Sequence, residues 1–283
     1  MPDSARRSTR RRARQQTSDR RRGPALLIWV IAGLGLALLV LPLLAILLRA
    51  PWARLPALLT SSVTLQALGL SLLTGLISTA CCLALGVPLA VVLARSVVWP
   101  VVARRLLRAA VTIPLVLPPV VGGLALLLLL GRSGVLGPAL ATLGISLPFT
   151  TAAVVIAQTF VAMPFLVFAV EGALRGADRR VELAAASLGA TPWQVFRTVT
   201  VPLVAPGIAA GAVLCFARAL GEFGATITFA GSYPGTTRTL PIASYLASQG
   251  DLNQSIALAL VLLVVSVAVL LGLRDRWVPG VRG

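Results

Sequence analysis

The sequence predicts an all-α membrane protein with six transmembrane helices. Of its 283 residues, 58% are hydrophobic and only 12% are charged. One water-soluble globule cannot bury so much apolar surface, so the solvent of this chain must be a bilayer. Six apolar runs, each long enough to cross a membrane, are separated by stretches that hold most of the arginines. We find neither an internal repeat nor a second domain in the sequence.

The composition excludes several kinds of chemistry. The sequence contains neither Lys nor His. Without Lys there is no Walker A motif for ATP, and without His there is no Ser-His-Asp or Cys-His nucleophile system. Cys81, Cys82 and Cys215 lack the spacing of a metal site or a disulfide framework, and we interpret them as packing residues. We therefore expect no catalytic residue, no metal and no cofactor, and a membrane enzyme is disfavoured.

The N-terminal part of the chain predicts a basic tail and two spans. Residues 1–22 are rich in Arg, Ser and Gln, which is typical of a disordered tail held near anionic lipid. The apolar run from Pro24 to Leu48 is too long for a signal-peptide core and predicts a retained membrane helix. The run from Ser62 to Ala94 predicts the second span, with a bend expected at Gly86 and Pro88 near its inner end.

Prolines interrupt the third predicted span, which extends from Ala109 to Gly131 after a short arginine-rich link. A broken helix in lipid is tolerated mainly where protein covers it or where it lines a cavity. Pro118 and Pro119 are therefore candidates for the wall of a substrate pathway, although each proline can also be a packing kink without substrate contact. A loop over residues 132–147 leads to a fourth span, from Pro148 to Val170.

The fifth predicted span begins after Pro202 and contains the only charged residues that we expect inside the membrane, Arg218 and Glu222. Residues four apart can face each other on one side of a helix. Burying either charge alone costs at least ~2.5 kcal/mol. Two interpretations stay open: a self-neutralising pair packed between helices, or a pair that lines the route of a charged solute, with the Arg218 guanidinium as a forked donor to an oxyanion. Thr226 and Thr228 add hydroxyl groups near the outer end.

The distribution of arginine predicts the orientation in the membrane. A loop over residues 231–252 leads to the sixth span, from Asn253 to Leu273, so both termini lie on one side. If that side is the cytoplasm, the inner segments hold 20 arginines and the outer loops hold four, as the positive-inside rule requires. We expect cytoplasmic termini, a membrane domain over residues 23–276 and a tail over residues 277–283. The net charge of +17 therefore reflects topology and not a nucleic-acid surface.

Between the fourth and fifth spans, residues 178–202 turn polar for long enough to form two short helices outside the membrane; we call them the polar segment. Asp178 can cap the first helix, and Gly189 suits its left-handed end. Thr191 can cap the second helix while Gln194 returns a capping-box hydrogen bond. The pattern predicts a helix-turn-helix.

Two aromatic residues of the polar segment, Trp193 and Phe196, lie three positions apart on one helix face. Arginines flank them, so we expect this stretch to lie in water. Exposed aromatic side chains of this kind indicate a partner protein. The alternative is that both rings pack back onto neighbouring membrane helices.

The polar segment resembles the cytoplasmic signature loop of ABC-importer permeases, in which Glu-Ala-Ala, a Gly and a later Ile-x-Leu-Pro recur at fixed distances. Leu183 occupies the usual Glu position, and Glu182 precedes it by one residue. In that family the loop docks in a groove of the ATP-hydrolysing subunit, so the resemblance implies a coupling loop over residues 171–202. Its implied site residues are Glu182, Ala184, Ala185, Gly189, Trp193, Phe196 and Pro202.

Three further stretches resemble molybdate permeases of ABC importers: IPLVLPPVVGGLALLLL, AQTFVAMPF and ARALGEFGATITFAGSYPGTTRTLPIASY. Sulfate and thiosulfate permeases are similar too, and GEFGATITFAG and PGTTRTLP favour molybdate, or tungstate, as the substrate. The implied protein is a homodimeric permease of the type I importer fold in the bacterial cytoplasmic membrane. It has no ATPase site of its own, and its partners are cytoplasmic ABC ATPase subunits and an extracytoplasmic molybdate-binding protein.

A stand-alone ion-coupled carrier or channel is the alternative from another functional class. In such a protein Arg218 and Glu222 would bind and relay ions. This alternative gives the polar segment no role.

Overall fold

The structure, a computed structural model, describes residues 22–274, which are mainly helical. Both predicted tails lie outside the described residues, except for Arg22, where the first helix begins. The chain divides into two units after Ala50. The first unit contains α1 (Arg22–Leu48), whose residues from Leu27 to Leu48 have a mean hydropathy of 2.8 and are long enough to cross a membrane. The predicted first span is therefore confirmed as a helix.

The second unit contains the remaining helices of the described residues. They are α2 (Leu55–Leu59), α3 (Ser62–Arg95), α4 (Val101–Val116), α5 (Pro119–Leu130), α6 (Gly137–Thr142), α7 (Thr151–Gly176), α8 (Arg179–Ser187), α9 (Pro192–Val195), α10 (Val201–Leu220), α11 (Gly224–Ala230), α12 (Leu240–Ala247) and α13 (Leu252–Arg274). Within the described range, five helices are long and apolar enough to span a membrane, and α4 with α5 makes a sixth span when the bent pair is counted as one. The prediction of six spans is confirmed at this level.

The core of the second unit lies where α3, α7 and α10 pack together. Cys82 and Cys215 are fully buried there among aliphatic side chains, as expected for packing residues. Two glycines bring α10 onto α7: a Cβ added to Gly207 would lie 2.3 Å from the Cβ of Ala173, and one added to Gly211 would lie 3.0 Å from the Cβ of Ala169. Small residues allow this close approach of helices.

The third span, predicted as a proline-interrupted run from Ala109 to Gly131, is broken as expected but begins earlier, at Val101. It consists of α4 and α5, whose axes differ by 116°. Leu117 and Pro118 are extended, with ψ of 132° at both residues, because a residue that precedes proline is disfavoured in the α region. Pro119 then suits the first position of the next helix. The arginine-rich link is also corrected, since α4 already begins at Val101.

Three other predicted boundaries are corrected. The loops predicted over residues 132–147 and 231–252 contain the short helices α6 and α12. Each begins with a proline in its first turn. The fourth span continues past Val170 to Gly176, so a further acidic residue, Glu171, belongs to a long helix. Helices as short as α6 and α12 have too few turns to give a periodic apolar pattern in the sequence.

Candidate functional site

The polar segment folds as the predicted helix-turn-helix. The Asp178 side chain accepts a hydrogen bond from the Arg180 N–H at 2.9 Å and caps α8. Gly189, with a φ of 87°, makes the left-handed turn that glycine adopts at little cost. Thr191 and Gln194 form the complete capping box at the start of α9. Local hydrogen bonds therefore fix both helix starts, and these predictions are confirmed.

The Trp193 and Phe196 rings lie together, with centroids 5.5 Å apart. Trp193 is 67% exposed, Phe196 is half-buried, and Val195 between them is buried. The alternative in which both rings pack back onto membrane helices is wrong for Trp193. Ala184 and Pro202 are exposed and Ala185 is half-buried. The polar segment therefore presents apolar surface outward, as a docking surface requires.

Glu182 does not share this outward direction. Its Oε1 accepts a hydrogen bond from the Thr200 hydroxyl at 2.5 Å and lies 3.4 Å from Nη2 of Arg95. Only 19% of the Glu182 side chain is exposed. Thr200 ends a π-turn, residues 196–200, in which the Val201 N–H bonds to the Phe196 carbonyl. The carboxylate thus joins α8, this turn and the end of α3.

A second carboxylate at this end of the bundle, Glu171, was not among the predicted site residues. Its Oε1 lies 2.5 Å from Nη2 of Arg108 and 2.7 Å from Nη2 of Arg175. Glu171 is 3% exposed, whereas the side chains of Arg108 and Arg175 are about half exposed. The carboxylate therefore connects α4 to α7 from the buried side of the ion pair. The sequence signal for it is an acidic residue directly after the apolar run of the fourth span.

The second candidate region is the helix break, residues 221–223, which separates α10 from α11. Arg218 lies in the last turn of α10, but Glu222 lies in the break and not inside the predicted continuous fifth span. Its Oε2 is 2.7 Å from Nη2 of Arg218, and its Oε1 accepts a hydrogen bond from the Ala225 N–H at 2.9 Å. The positive charge of Arg218 stabilises the C-terminus of α10, and the negative charge of Glu222 stabilises the N-terminus of α11, because each opposes the partial charge of that helix end.

Helix α5 packs directly against α11. A Cβ added to Gly224 would lie 2.9 Å from the Cβ of Pro119, and one added to Gly123 would lie 2.9 Å from the Cβ of Thr228. The structure therefore brings together predicted pathway residues from the third and fifth spans. Pro118, at the bend before α5, is exposed.

The two threonines of α11 differ in their surroundings. The Thr228 hydroxyl donates to the Gly224 carbonyl at 2.9 Å. The Thr226 hydroxyl is buried and has no hydrogen-bond partner among the described residues. Contact of either residue, or of the prolines, with a substrate stays a prediction.

Anion binding at the helix break stays a prediction. Arg218 carries five N–H donors in a planar fork, and its side chain is 27% exposed. Its Nη2 lies 2.7 Å from Glu222, and its other N–H groups are the predicted donors to an oxyanion. The buried carboxylate meanwhile offsets the charge that would otherwise be stranded in the membrane.

Comparison with known proteins gives one family. Residues 86–282 match the family of binding-protein-dependent transport system inner membrane components. A molybdenum transport system permease protein of Mycobacterium tuberculosis is 50% identical over 249 residues, which cover 88% of this chain and 93% of the relative. A probable sulfate transport system permease protein of Zygnema circumcarinatum is 33% identical over 241 residues, which cover 84% of this chain and 83% of the relative.

Among solved structures, a chain of a bacterial ABC transporter involved in the import of the acidic polysaccharide alginate is similar in fold. The TM-score is 0.64 at 19% sequence identity, and the match covers 93% of this chain and 99% of that one. This likeness shows that the chain has the fold of an ABC importer permease.

Proposed function

The chain belongs to the family of binding-protein-dependent transport system inner membrane components, and from this premise we propose that it is the membrane-spanning subunit of an ABC importer for molybdate. The observation that carries the proposal is its 50% identity, over nearly the whole of both chains, with a molybdenum transport permease. The likeness to a sulfate permease is weaker, at 33%. Tungstate is an alternative substrate because it is an oxyanion of the same charge and shape.

The polar segment is the proposed docking site for the cytoplasmic ABC ATPase subunits. Its exposed apolar side chains, Trp193 above all, are held by two capped helix starts, and rigid aromatic anchors are what binding hot spots use. ATP hydrolysis takes place on those partner subunits. This chain supplies the translocation path. Movement of the ATPase subunits reaches that path through the polar segment.

An extracytoplasmic binding protein delivers the oxyanion at the opposite face, and a second copy of the chain completes the permease. The arginine asymmetry supports this orientation, with the polar segment and both termini in the cytoplasm. Arg179, Arg180 and Arg197 lie in the polar segment, and Arg175 lies just before it.

The helix break is the proposed part of the translocation path. In this proposal Arg218 offers hydrogen-bond donors to an oxyanion, and Glu222, 2.7 Å away, balances its charge. Pro118, Pro119, Thr226 and Thr228 lie on the elements that meet at or next to this break. A stand-alone carrier would also use the ion pair, but it gives the exposed Trp193 no partner.

Molybdate uptake tests the proposal. The chain is expressed, with its ATPase and binding protein, in a bacterial strain that lacks its own molybdate permease. We expect uptake of labelled molybdate that excess tungstate inhibits and excess sulfate does not. The control contains an ATPase without its Walker A lysine and should show no uptake. Uptake that persists in this control would favour the ion-coupled carrier, and competition by sulfate would assign the chain to the sulfate permeases.

A further inference from the structure

Glu182 is displaced by one residue from the position of the acidic residue in the signature loop, and the displacement turns its side chain inward. Successive residues on an α-helix point roughly 100° apart. Leu183, which stands at the usual acidic position, is 66% exposed, and Val181 is also exposed. Glu182 lies between them and points toward Arg95 and Thr200. The carboxylate therefore faces the permease itself.

The place that Glu182 occupies is loosely packed. Within the part of the chain that the structure describes, α8 contributes no buried residue. A cavity of about 280 Å³ lies between α8 and the ends of α3 and α7, and its lining includes Arg95, Arg175, Glu182 and Thr200. Apolar contacts thus contribute little to holding α8 on the bundle. Among the described residues, Glu182 makes the side-chain hydrogen bonds that join α8 to the bundle.

The bond to Thr200 has the properties of a strong hydrogen bond. Thr200 is 1% exposed, and its hydroxyl donates to a carboxylate that is 19% exposed, so the bond is charge-assisted and partly buried. The Arg95 guanidinium, at 3.4 Å, adds a weaker and more exposed contact. Together the two contacts join the first helix of the polar segment to the turn that follows its second helix and to a membrane-spanning helix.

We propose that Glu182 is a positioning residue: it holds the docking surface of the polar segment in register with α3 and α10, and it makes no contact with the ATPase. This inference rests on the proposed function, since it assumes that an ATPase subunit docks on the polar segment. In this proposal the contacts of Glu182 with Thr200 and Arg95 connect the docking surface to the membrane helices.

A double-mutant cycle in the assembled complex tests the proposal. The complex is reconstituted in lipid nanodiscs, and two quantities are measured: the affinity of the ATPase subunit for the permease, and the ATP hydrolysed per molybdate transported in proteoliposomes. The variants are E182Q, T200V and both together. We expect T200V to weaken docking about tenfold, a loss typical of one charge-assisted hydrogen bond. The double variant should be no weaker than the weaker single variant, because E182Q removes the charge that strengthens the same bond that T200V deletes.

Matched variants separate positioning from loss of folding. T200S keeps the hydroxyl and should restore docking and the ATP to molybdate ratio. R95Q changes a half-exposed side chain, so it should insert normally and should also be non-additive with E182Q. Normal membrane levels of R95Q keep the test decisive if T200V fails to fold.

The outcomes distinguish the two proposals. If T200V and R95Q dock like the wild type while E182Q does not, or if the effects add, Glu182 contacts the ATPase and the positioning role is wrong. If the ATPase does not bind even the wild-type chain, the proposed function itself is wrong. Non-additive losses with rescue by T200S would establish the connection.

Discussion

Glu182 in the polar segment and Glu222 in the helix break have the same kinds of partner in opposite surroundings. Each carboxylate lies beside one arginine and accepts one further hydrogen bond. The pair of Glu182 with Arg95 is partly hydrated, whereas Glu222 is 1% exposed. Ion pairs in water contribute only ~0–1 kcal/mol, but removing one partner of a buried pair costs about 3–5 kcal/mol.

Because of this difference, mutations near Glu182 should change function, whereas mutations in the helix break should first change folding. Around Glu182 the bundle keeps its own core of α3, α7 and α10, so changes in the polar segment should leave insertion intact. In the helix break, replacing one of the two charged residues should destabilise the protein, so that a loss of transport alone would not report function.

Glu222→Ala should have the largest effect. It leaves the charge of Arg218 without a partner in the membrane and removes the acceptor of the Ala225 N–H, so we expect a loss of about 3–5 kcal/mol in the free energy of unfolding. The measurement is the melting temperature and membrane level of the variant. A variant with wild-type stability would show that water reaches the pair.

The double variant Arg218→Met with Glu222→Gln is the matched control. It leaves no unpaired charge, and the glutamine oxygen can still accept from Ala225, so its stability and membrane level should be close to normal. If Arg218 serves the anion, molybdate uptake by this variant should be lost. Normal uptake at an equal membrane level would remove the ion pair from the translocation path.

Trp193→Ala should weaken ATPase docking by about 2 kcal/mol, roughly 30-fold, because large exposed aromatic residues dominate such interfaces. Its melting temperature should not change, in contrast to Glu222→Ala. Docking is measured with the purified ATPase subunit, and Val98→Ala, a truncation of another exposed apolar residue, is the control. If both variants bind the ATPase subunit with the same affinity, the ATPase does not dock on the Trp193 surface.

Gly189→Arg should uncouple ATP hydrolysis from transport while the protein stays inserted. No heavy atom beyond the chain neighbours lies within 4 Å of an added Cβ, so the cost is the left-handed backbone alone, about 1–2 kcal/mol. That strain disturbs the turn that orients Trp193. Gly189→Asn is the control, since asparagine tolerates this conformation. The test is uptake at equal membrane level, and wild-type uptake by the arginine variant would show that the turn does not couple.

Thr191→Ala should have the smallest effect, about 1 kcal/mol, because it removes one half of the capping box at α9. The expected result is faster hydrogen exchange at the Gln194 amide, with unchanged exchange in α7. Thr198→Ala, which removes an exposed hydroxyl bonded to the Gln194 carbonyl, should leave that amide protected. Unaltered exchange in Thr191→Ala would mean that the cap does not hold the helix.

Much of the fold could be predicted from the sequence, because bilayer insertion and helix capping depend on residues close together in the chain. Six apolar runs gave the spans, and Thr191 with Gln194 gave a helix start that the structure contains. The domain limits, the cytoplasmic termini and the functional roles of the site residues stay predictions, since they concern the tails, the membrane and the partners.

The rest was decided by tertiary structure, because it depends on groups that lie far apart in the sequence. Glu182 meets Arg95 across 87 positions, and Glu171 meets Arg108 across 63. No local pattern specifies such partners. The bend at Pro118 could be anticipated as a break, but its angle of 116° accompanies the packing of α5 on α11. The direction in which a side chain points, inward for Glu182 and outward for Leu183, follows from which helix face the bundle covers, and the bundle exists only once all its helices have packed.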